Sequence, residues 1–469
     1  MDNEKLTPRS ENFSEWYNQL IQRAELADNA PVRGCMVVRP YGWALWENIQ
    51  GALDKRFKDT GHVNAAFPLL IPMSFLQKEK EHVKGFSPEL AVVTHGGGQE
   101  LEEPLVVRPT SETIIGYMYS KWIKSYRDLP VLINQWGNVV RWEMRTRPFL
   151  RTLEFYWQEG HTAHATEKEA DEETMRMLEV YTRFARDDRK SDTERFAGAV
   201  RTFSIEAMMG DTKALQSGTS HLLGQNFAKA FEIQYLDENN TQQYCWTTSW
   251  GLSTRFIGAI IMTHGDDQGL VLPPKLTPIQ IVIVPIYKND EERGKVLPFI
   301  ENLKGELSSF RIKVDDRTEV TPGYKYNDWE MRGVPVRLEV GPRDVEKNSV
   351  MSARRDIPGR DGKKILSLEG LSGEISNLLK EIHTSMFEKA KAFRDSHIFD
   401  PKDYEELKAT IEKGWAFSWW CGDGACEAKV KEDTKATTRC IPLDQPGGKG
   451  NCIVCGKEAH EKVYFSKAY

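Results

Sequence analysis

NVVRWEMRTRPFLRTLEFYWQEGHTAH, residues 138–164, is the stretch whose reading decides the fold. It reads as a hairpin: a strand, a polar loop around Arg145 to Arg151, and a return strand. Side chains alternate faces along a strand. Arg141 and Glu143 would therefore share one face, and Phe155, Trp157, Glu159 and His161 would share a face of the return strand. A strand ordinarily turns an apolar face to the core. Arginine, carboxylates, aromatics and histidine on one face suit a binding floor instead, against the plainer alternative of an exposed sheet with solvated charges.

Around this hairpin, residues 105–270 alternate strand-like segments with two helical stretches, a highly charged and solvated one at 166–189 and another at 222–231. A strand pair follows before 250–262, so an antiparallel core with flanking helices is expected, an α+β domain. Upstream, Phe13, Trp16, Tyr17, Leu20, Ile21 and Ala24 recur at helical spacing, and a second helix follows Pro40 until Gly61. The apolar run 62–71 is broken by Pro68, which restricts it to an edge or interface strand because proline cannot donate to a ladder.

Downstream, LPPKLTP (272–278) punctuates the chain as a linker. IQIVIVPI then reads as a strand buried on both faces. A helix at 290–308, RIKVDD, a helix near 324–332, VPVRLEV and SVMSARRD complete a small α/β domain. Three domains are expected: 1–275, 276–385, and 386–469, the last opening on a charged helix and closing on a cysteine cluster.

The 469 residues carry a net charge of −6, which argues against a general polyanion binder but leaves room for a local basic patch. No apolar run reaches the roughly 18 residues of a membrane span. The polar start, MDNEKLTPRSENF, lacks the apolar centre of a secretory signal, so a cytoplasmic protein without a membrane partner is expected. Five of the seven cysteines crowd into the last fifty residues. Cys421-x4-Cys426 and Cys452-x2-Cys455 form two short pairs suited to tetrahedral Zn²⁺, favoured over free or redox thiols, with Cys440 spare.

Two further segments carry chemistry. In WTTSWGLSTRFIGAII (246–261), Gly251 and Gly258 permit close packing and Arg255 stands in an apolar stretch. It would meet either a phosphate or a structural carboxylate, and the two readings are even. In RPTSE (108–112), Thr110 and Glu112 could receive an ammonium group. Taken alone, helix capping is the better reading of that segment. There is no G-x-x-x-x-G-K-[ST] or G-x-G-x-x-G phosphate loop, and Ser220-His221 lacks the G-x-S-x-G elbow of a serine hydrolase.

Taken together, these segments resemble class II aminoacyl-tRNA synthetases, and among them prolyl-tRNA synthetases of the archaeal and eukaryotic type. The resemblance covers nearly the whole chain. Pro68 with Leu69 and Leu70 matches the first family motif, a dimer-interface strand. Arg141, Glu143, Arg151 and Phe155 match the second, and Arg255 the third. Thr110-Ser111-Glu112 matches the proline-recognition loop, and QSGTSHLLGQNF (216–227) is a further family segment.

The resemblance implies an antiparallel class II catalytic domain, an α/β anticodon-binding domain and a small zinc-binding C-terminal α+β domain. It implies attachment of L-proline to tRNA(Pro) at the expense of ATP, with Mg²⁺, by a homodimer. Arg141, Glu143 and Arg255 would be catalytic. ATP would be held by Arg141, Glu143, Arg151, Phe155, Gln216, Thr219, Ser253 and Arg255. Proline would be held by Thr110, Glu112, Arg141, Trp157, Glu159, His161 and His221. Glu339 and Arg343, from GVPVRLEVGPRD (333–344), would read the anticodon, and Cys421, Cys426, Cys452 and Cys455 would bind a structural zinc. The terminal Tyr469 resembles family members whose C-terminus reaches towards the active site.

Bacterial-type relatives carry a large editing insertion between the second and third motifs. Here only about 80 residues separate Thr166 from Tyr244, too few for an added domain. The rivals are a class II ligase for threonine, glycine or histidine, and a non-catalytic synthetase-like RNA-binding protein. Thr110, Glu112 and Trp157 favour proline, and the joint presence of Arg141, Glu143 and Arg255 argues against the second rival.

Overall fold

A computed structural model describes residues 5–77, 90–185 and 200–469. These divide into two compact units. One comprises residues up to 28, 37–51 and 260–395, and the other comprises 29–36, 52–259 and 396–469.

The second unit is organised on a six-stranded sheet. Its strands are β1 (Val63–Asn64), β2 (Val131–Val140), β3 (Glu154–His164), β4 (Arg201–Met208), β5 (Ala214–Gly224) and β6 (Trp246–Ser253). The spatial order is β1-β2-β3-β6-β5-β4. All pairings are antiparallel except the short edge pair β1–β2. The expected hairpin is β2–β3, in the register Val139↔Phe155, Gln135↔Glu159 and Ile133↔His161. The first strand stops at Val140, so Arg141 and Glu143 stand just past its end and not on its face as the alternation predicts.

The proline-broken run 62–71 yields two strands in different sheets. One is β1, and the other, Leu70–Pro72, lies on the edge of a three-stranded sheet with Ala91–Gly96 and Gln99–Val107. Both edge positions agree with the exclusion of proline from a central ladder.

Helix α1 (Glu112–Trp122) packs Ile114, Ile115 and Tyr119 into a core with Phe67, Phe227 and Phe231. Helix α2 (Glu167–Ala185) corrects one expectation. Despite its charge it is not merely solvated: Ala170, Thr174, Met177, Leu178 and Tyr181 form a buried stripe. Charged residues dominate its composition, but the apolar positions recur at helical spacing and decide its placement. The last four positions of the expected helix, 186–189, lie outside the described residues.

The stretch 222–231 is only partly helical, because Leu222–Gly224 finish β5 before the helix Asn226–Phe231. Gly160 explains how the back of the sheet closes. A Cβ there would come 2.0 Å from the Trp250 ring on the neighbouring strand. Its absence lets Trp250 lie flat behind the sheet against Phe57, Tyr181 and His62.

Also in the second unit, β12 (Ile398–Phe399), β13 (Trp415–Trp420), β14 (Thr437–Cys440) and β15 (Glu461–Ser466) form a sheet in the order β12-β13-β15-β14. Leu407, Val430, Val463 and Phe465 fill its core.

The first unit holds a mixed sheet of β7 (Ile281–Pro285), β8 (Ile312–Val314), β9 (Val336–Val340), β10 (Ser349–Arg354) and β11 (Lys363–Ser367), ordered β8-β7-β9-β10-β11. The first three strands are parallel, and β7 is buried at every position, as its unbroken apolar run predicts; β9 is equally buried although it carries Arg337 and Glu339, which pair with each other. Helices Asp290–Glu306, Pro322–Met331 and Leu371–Ser396 complete this unit.

Candidate active site

Cross-strand partners share a face of a sheet. The register therefore fixes which side chains meet. Trp157, Glu159 and His161 on β3 oppose Ser253, Gly251 and Ser249 on β6. Gly251 and Ser249 in turn oppose Thr219 and His221 on β5. Thr219 and His221 oppose Ser204 and Thr202 on β4. One face thus carries Phe155, Trp157, Glu159, His161, Ser253, Thr219 and His221 together. A bulge between Gln216 and Gly218 adds Gln216 to the same side, opposite Glu206. At the centre, Gly251 presents no side chain, and a Cβ there would meet the Trp157 ring at 3.5 Å.

Glu159 is the hub of this floor. It is 2% exposed. Its carboxylate accepts from the Ser111 N–H (3.1 Å), the Ser111 hydroxyl (2.5 Å), the Gln135 amide (2.9 Å) and His161 Nε2 (3.1 Å). Burial works against its ionisation, but the bonds from His161 and Ser111 and the charge of Arg108 outweigh burial and hold it below the usual carboxylate range. Burial likewise disfavours a charged His161, yet Glu159 and Glu112 raise the imidazole above its ordinary value. His221 goes the other way: burial, reinforced by His161, lowers it to about 3, so it is neutral, with Nδ1 2.9 Å from the Thr202 hydroxyl.

The capping reading of 108–112 is half correct. Helix α1 does begin at Glu112 with Ser111 at its N-cap, but the Ser111 side chain makes no cap bond. It turns to Glu159 instead. The Thr110 hydroxyl donates to the Glu112 carboxylate, and both residues are buried. A paired hydroxyl and carboxylate therefore sit at the rim of the floor.

The arginines take separate stations. Arg141 Nε donates to the Pro109 carbonyl at 3.0 Å, and its guanidinium lies over both Phe155 (5.3 Å) and Trp157 (5.4 Å). Arg151 meets the Glu143 carboxylate at 3.3 Å, which also accepts from the Arg145 N–H at 3.0 Å. Arg255 is not embedded in apolar surroundings as its sequence context predicts. It is the first residue of helix α3 (Arg255–His264), partly exposed, with its N–H on the Ser253 hydroxyl (3.2 Å) and its Nε on the Leu150 carbonyl (3.1 Å). A strand-to-helix junction presents it at the edge of the floor.

Sequence reasoning missed three supporting residues. Ser111 was visible as the middle of RPTSE, but its partner is 48 positions away. Gln135 bridges the Glu159 carboxylate and the Phe67 N–H. Arg108 is 5% exposed and spans the Asn138 and Phe67 carbonyls. Gly137 makes space for it, since a Cβ there would fall 2.6 Å from the guanidinium.

The remaining expected residues stand elsewhere. In the first unit, Glu339 is buried and holds Arg337 (3.1 Å) and Lys363 (2.8 Å), while Arg343 is exposed on the short helix Pro342–Glu346. Arg354 and Arg355 are paired with Asp356 and Asp266. In the second unit, Cys421, Cys426, Cys452 and Cys455 converge, with all four sulfurs within 4.8 Å of one another. Cys421 Sγ lies 3.7 Å from both Cys426 Sγ and Cys455 Sγ. Zinc–sulfur bonds of about 2.3 Å in a tetrahedron place sulfurs about 3.8 Å apart, so the donor set fits zinc. Burial opposes ionisation of Cys452, but the backbone N–H groups of Cys455 and Val454 bring its thiol down to about 7.

Among the described residues, no helix is long and apolar enough to cross a membrane. Three family models match the chain. They are the class II tRNA synthetase core domain (G, H, P, S and T) over residues 92–264, an anticodon binding domain over 280–378, and the prolyl-tRNA synthetase C-terminal domain over 404–469. A Proline--tRNA ligase of Chloroflexus aurantiacus is 58% identical, with both chains fully covered. A chloroplastic/mitochondrial Proline--tRNA ligase of Arabidopsis thaliana is 56% identical over 99% of this chain and 88% of its own. The crystal structure of prolyl-tRNA synthetase from Cryptosporidium parvum, complexed with halofuginone and AMPPNP, superposes with a TM-score of 0.93 at 40% identity over 99% of each chain. The class II sheet, the anticodon-binding module and the cysteine-bearing C-terminal module occur together in one chain, and its relatives match it along its length: the chain belongs to the prolyl-tRNA synthetases.

Proposed function

We propose that this chain attaches L-proline to tRNA(Pro) in two steps, through a prolyl-adenylate, on the floor described above. The observation that carries this reading is a sheet face bearing an aromatic–carboxylate–histidine row, with a buried hydroxyl–carboxylate pair at its rim and Arg141, stacked over Phe155 and Trp157, at its edge. The arrangement is suited to binding and charge stabilisation, which adenylation requires.

In this reading Thr110 and Glu112 accept the two N–H donors of the secondary ammonium of proline. Trp157, Glu159, His161 and the neutral His221 wall the pyrrolidine pocket. Phe155 stacks on adenine, and Glu143 accepts from its amino group. Gln216, Thr219 and Ser253 contact the nucleotide. The proline carboxylate attacks the α-phosphorus and pyrophosphate leaves. Arg141 meets the carboxylate and α-phosphate, while Arg151 and Arg255 hold the β- and γ-phosphates. Fixed guanidinium groups aimed at developing charge need no reorganisation during the step. Mg²⁺ carried with the nucleotide would supply further charge neutralisation. The terminal ribose hydroxyl of the tRNA then attacks the adenylate.

The division 1–275, 276–385 and 386–469 assigns catalysis, anticodon reading and structural zinc binding to successive segments. Glu339 and Arg343 are assigned to the anticodon, and the four cysteines to zinc, which would hold the C-terminal module together without entering the reaction. Pairing of two chains is assigned to the segment at Pro68, where Leu69 and Leu70 are each 41% exposed. A cytoplasmic location accompanies this reading.

The test is ATP–pyrophosphate exchange with each of the twenty amino acids. Proline should stand apart from the other nineteen, with alanine the nearest competitor because a smaller side chain cannot be strongly excluded. Arg255→Ala should cost about 10²-fold or more in exchange rate. Full exchange activity in Arg255→Ala would remove the phosphate role assigned to it.

A further inference from the structure

We infer that Arg439, on β14, and Glu206, on β4, are a positioning pair for the nucleotide side of the floor. The inference rests on the assignment of Gln216 and Thr219 to ATP. Glu206 belongs to the edge strand of the six-stranded sheet and is the direct cross-strand partner of Gln216, so the two side chains stand on the same face. Arg439 comes from a distant part of the sequence. Its Nη2 donates to both Glu206 oxygens at 3.1 Å and its Nε to one of them at 3.3 Å, while Nη1 is held by the Thr437 hydroxyl at 3.1 Å. Arg439 is 4% and Glu206 6% exposed.

Next to Glu206, strand β5 departs from even pleating at the bulge between Gln216 and Gly218. A bulge leaves one residue outside the ladder, so its shape needs support from beyond the ladder. The cysteine-bearing module supplies that support at the turn end of the β4–β5 hairpin. Trp415 Nε1 donates to the Thr212 carbonyl at 2.8 Å. Ala214 is clamped through its N–H to the Lys467 carbonyl (2.8 Å) and through its carbonyl to the Tyr469 N–H (3.1 Å). The Tyr469 hydroxyl donates to Asp211 at 2.7 Å. Of these contacts, the Arg439–Glu206 pair is the one level with Gln216. A bidentate guanidinium fixes the carboxylate in plane and direction, which a point charge would not.

The full-length chain tests this. Arg439→Met, Glu206→Gln and the paired substitution Glu206→Leu with Arg439→Met should each raise the KM for ATP about tenfold, with the proline KM unchanged and the zinc content equal to that of the unsubstituted chain. The paired variant replaces the buried charges by apolar side chains of similar volume and so keeps the fold. Arg439→Lys should recover part of the ATP KM. Adding Arg439→Met to Gln216→Ala should cost no more than Gln216→Ala alone. An unchanged ATP KM in the paired variant, or equal rises for ATP and proline, would overturn the inference. If Gln216→Ala raises the ATP KM and Arg439→Met does not, the pair is merely structural and the nucleotide assignment survives. If Arg439→Met raises it and Gln216→Ala does not, the pair acts through Thr219, and the Gln216 assignment is what fails.

Discussion

Replacing Glu159 by glutamine removes one charge and no volume, and it should be among the most costly isosteric changes in this chain. The carboxylate accepts four hydrogen bonds and donates none. A glutamine offers one acceptor oxygen and turns two N–H groups towards donors. The neighbouring Gln135 cannot compensate by rotating its amide, because its oxygen already accepts from the Phe67 N–H at 2.5 Å. His161 would lose the hydrogen-bonded carboxylate that, with Glu112, raises its imidazole. Removing one partner of a buried ion pair typically costs about 3–5 kcal/mol, and an orphaned buried donor about 1–3 kcal/mol. A loss near 3 kcal/mol is expected, since the amide retains one acceptor. Urea unfolding followed by tryptophan fluorescence gives the stability change from the midpoint at constant slope. The His161 resonance should titrate below its ordinary value of about 6.5. The proline KM should rise with it. A loss under about 1 kcal/mol with His161 still raised would refute the hub role of Glu159.

Acidification and metal removal give two further outcomes. Folded His164 and His264 lie at about 4 and His221 at about 3, each lowered chiefly by burial. The unfolded chain binds more protons between about pH 6.5 and 4, so stability should fall as pH falls through that window, by about 3 kcal/mol for His164 alone. Glu159, lowered in the fold, adds loss in the same direction at lower pH. The raised His161 works on the alkaline side, its contribution fading as pH rises through its folded value. Unfolding midpoints that stay level between neutral and mildly acid pH would contradict this. Chelation, or Cys452→Ser, should unfold the module around β13–β15, read as lost protease resistance of residues 396–469. Resistance that survives complete zinc removal would contradict the structural role of the four thiolates.

Much of the fold was legible because its signals were local. The buried strand β7 announced itself as an apolar run, and the hairpin at 138–164 through alternation. The helix α2 was misjudged as solvated because charge dominates its composition while its apolar stripe occupies one face. The floor was legible residue by residue, but not as a network. Ser111 pairs with Glu159 across 48 positions and Arg439 with Glu206 across 233, and no local pattern records such partners. Arg255 misled for a related reason: its apolar neighbours belong half to a strand and half to a helix, and the turn between them carries it outward.

The bulge in β5 bears on how such a chain can change. In an evenly pleated strand, positions three apart look to opposite sides, yet Gln216 and Thr219 look to the same one. One surplus residue resets the parity of the strand at that point. Deleting it would restore even pleating with Gln216 and Thr219 two apart and still on one side, whereas deleting Ser220, in the regular part of the strand, would put Thr219 and His221 on opposite sides. Substitutions here alter one contact at a time, whereas a single-residue length change in the evenly pleated part of the strand exchanges inside for outside. Length changes are therefore expected in the connections and at the bulge, where the count of odd and even positions on either side is preserved.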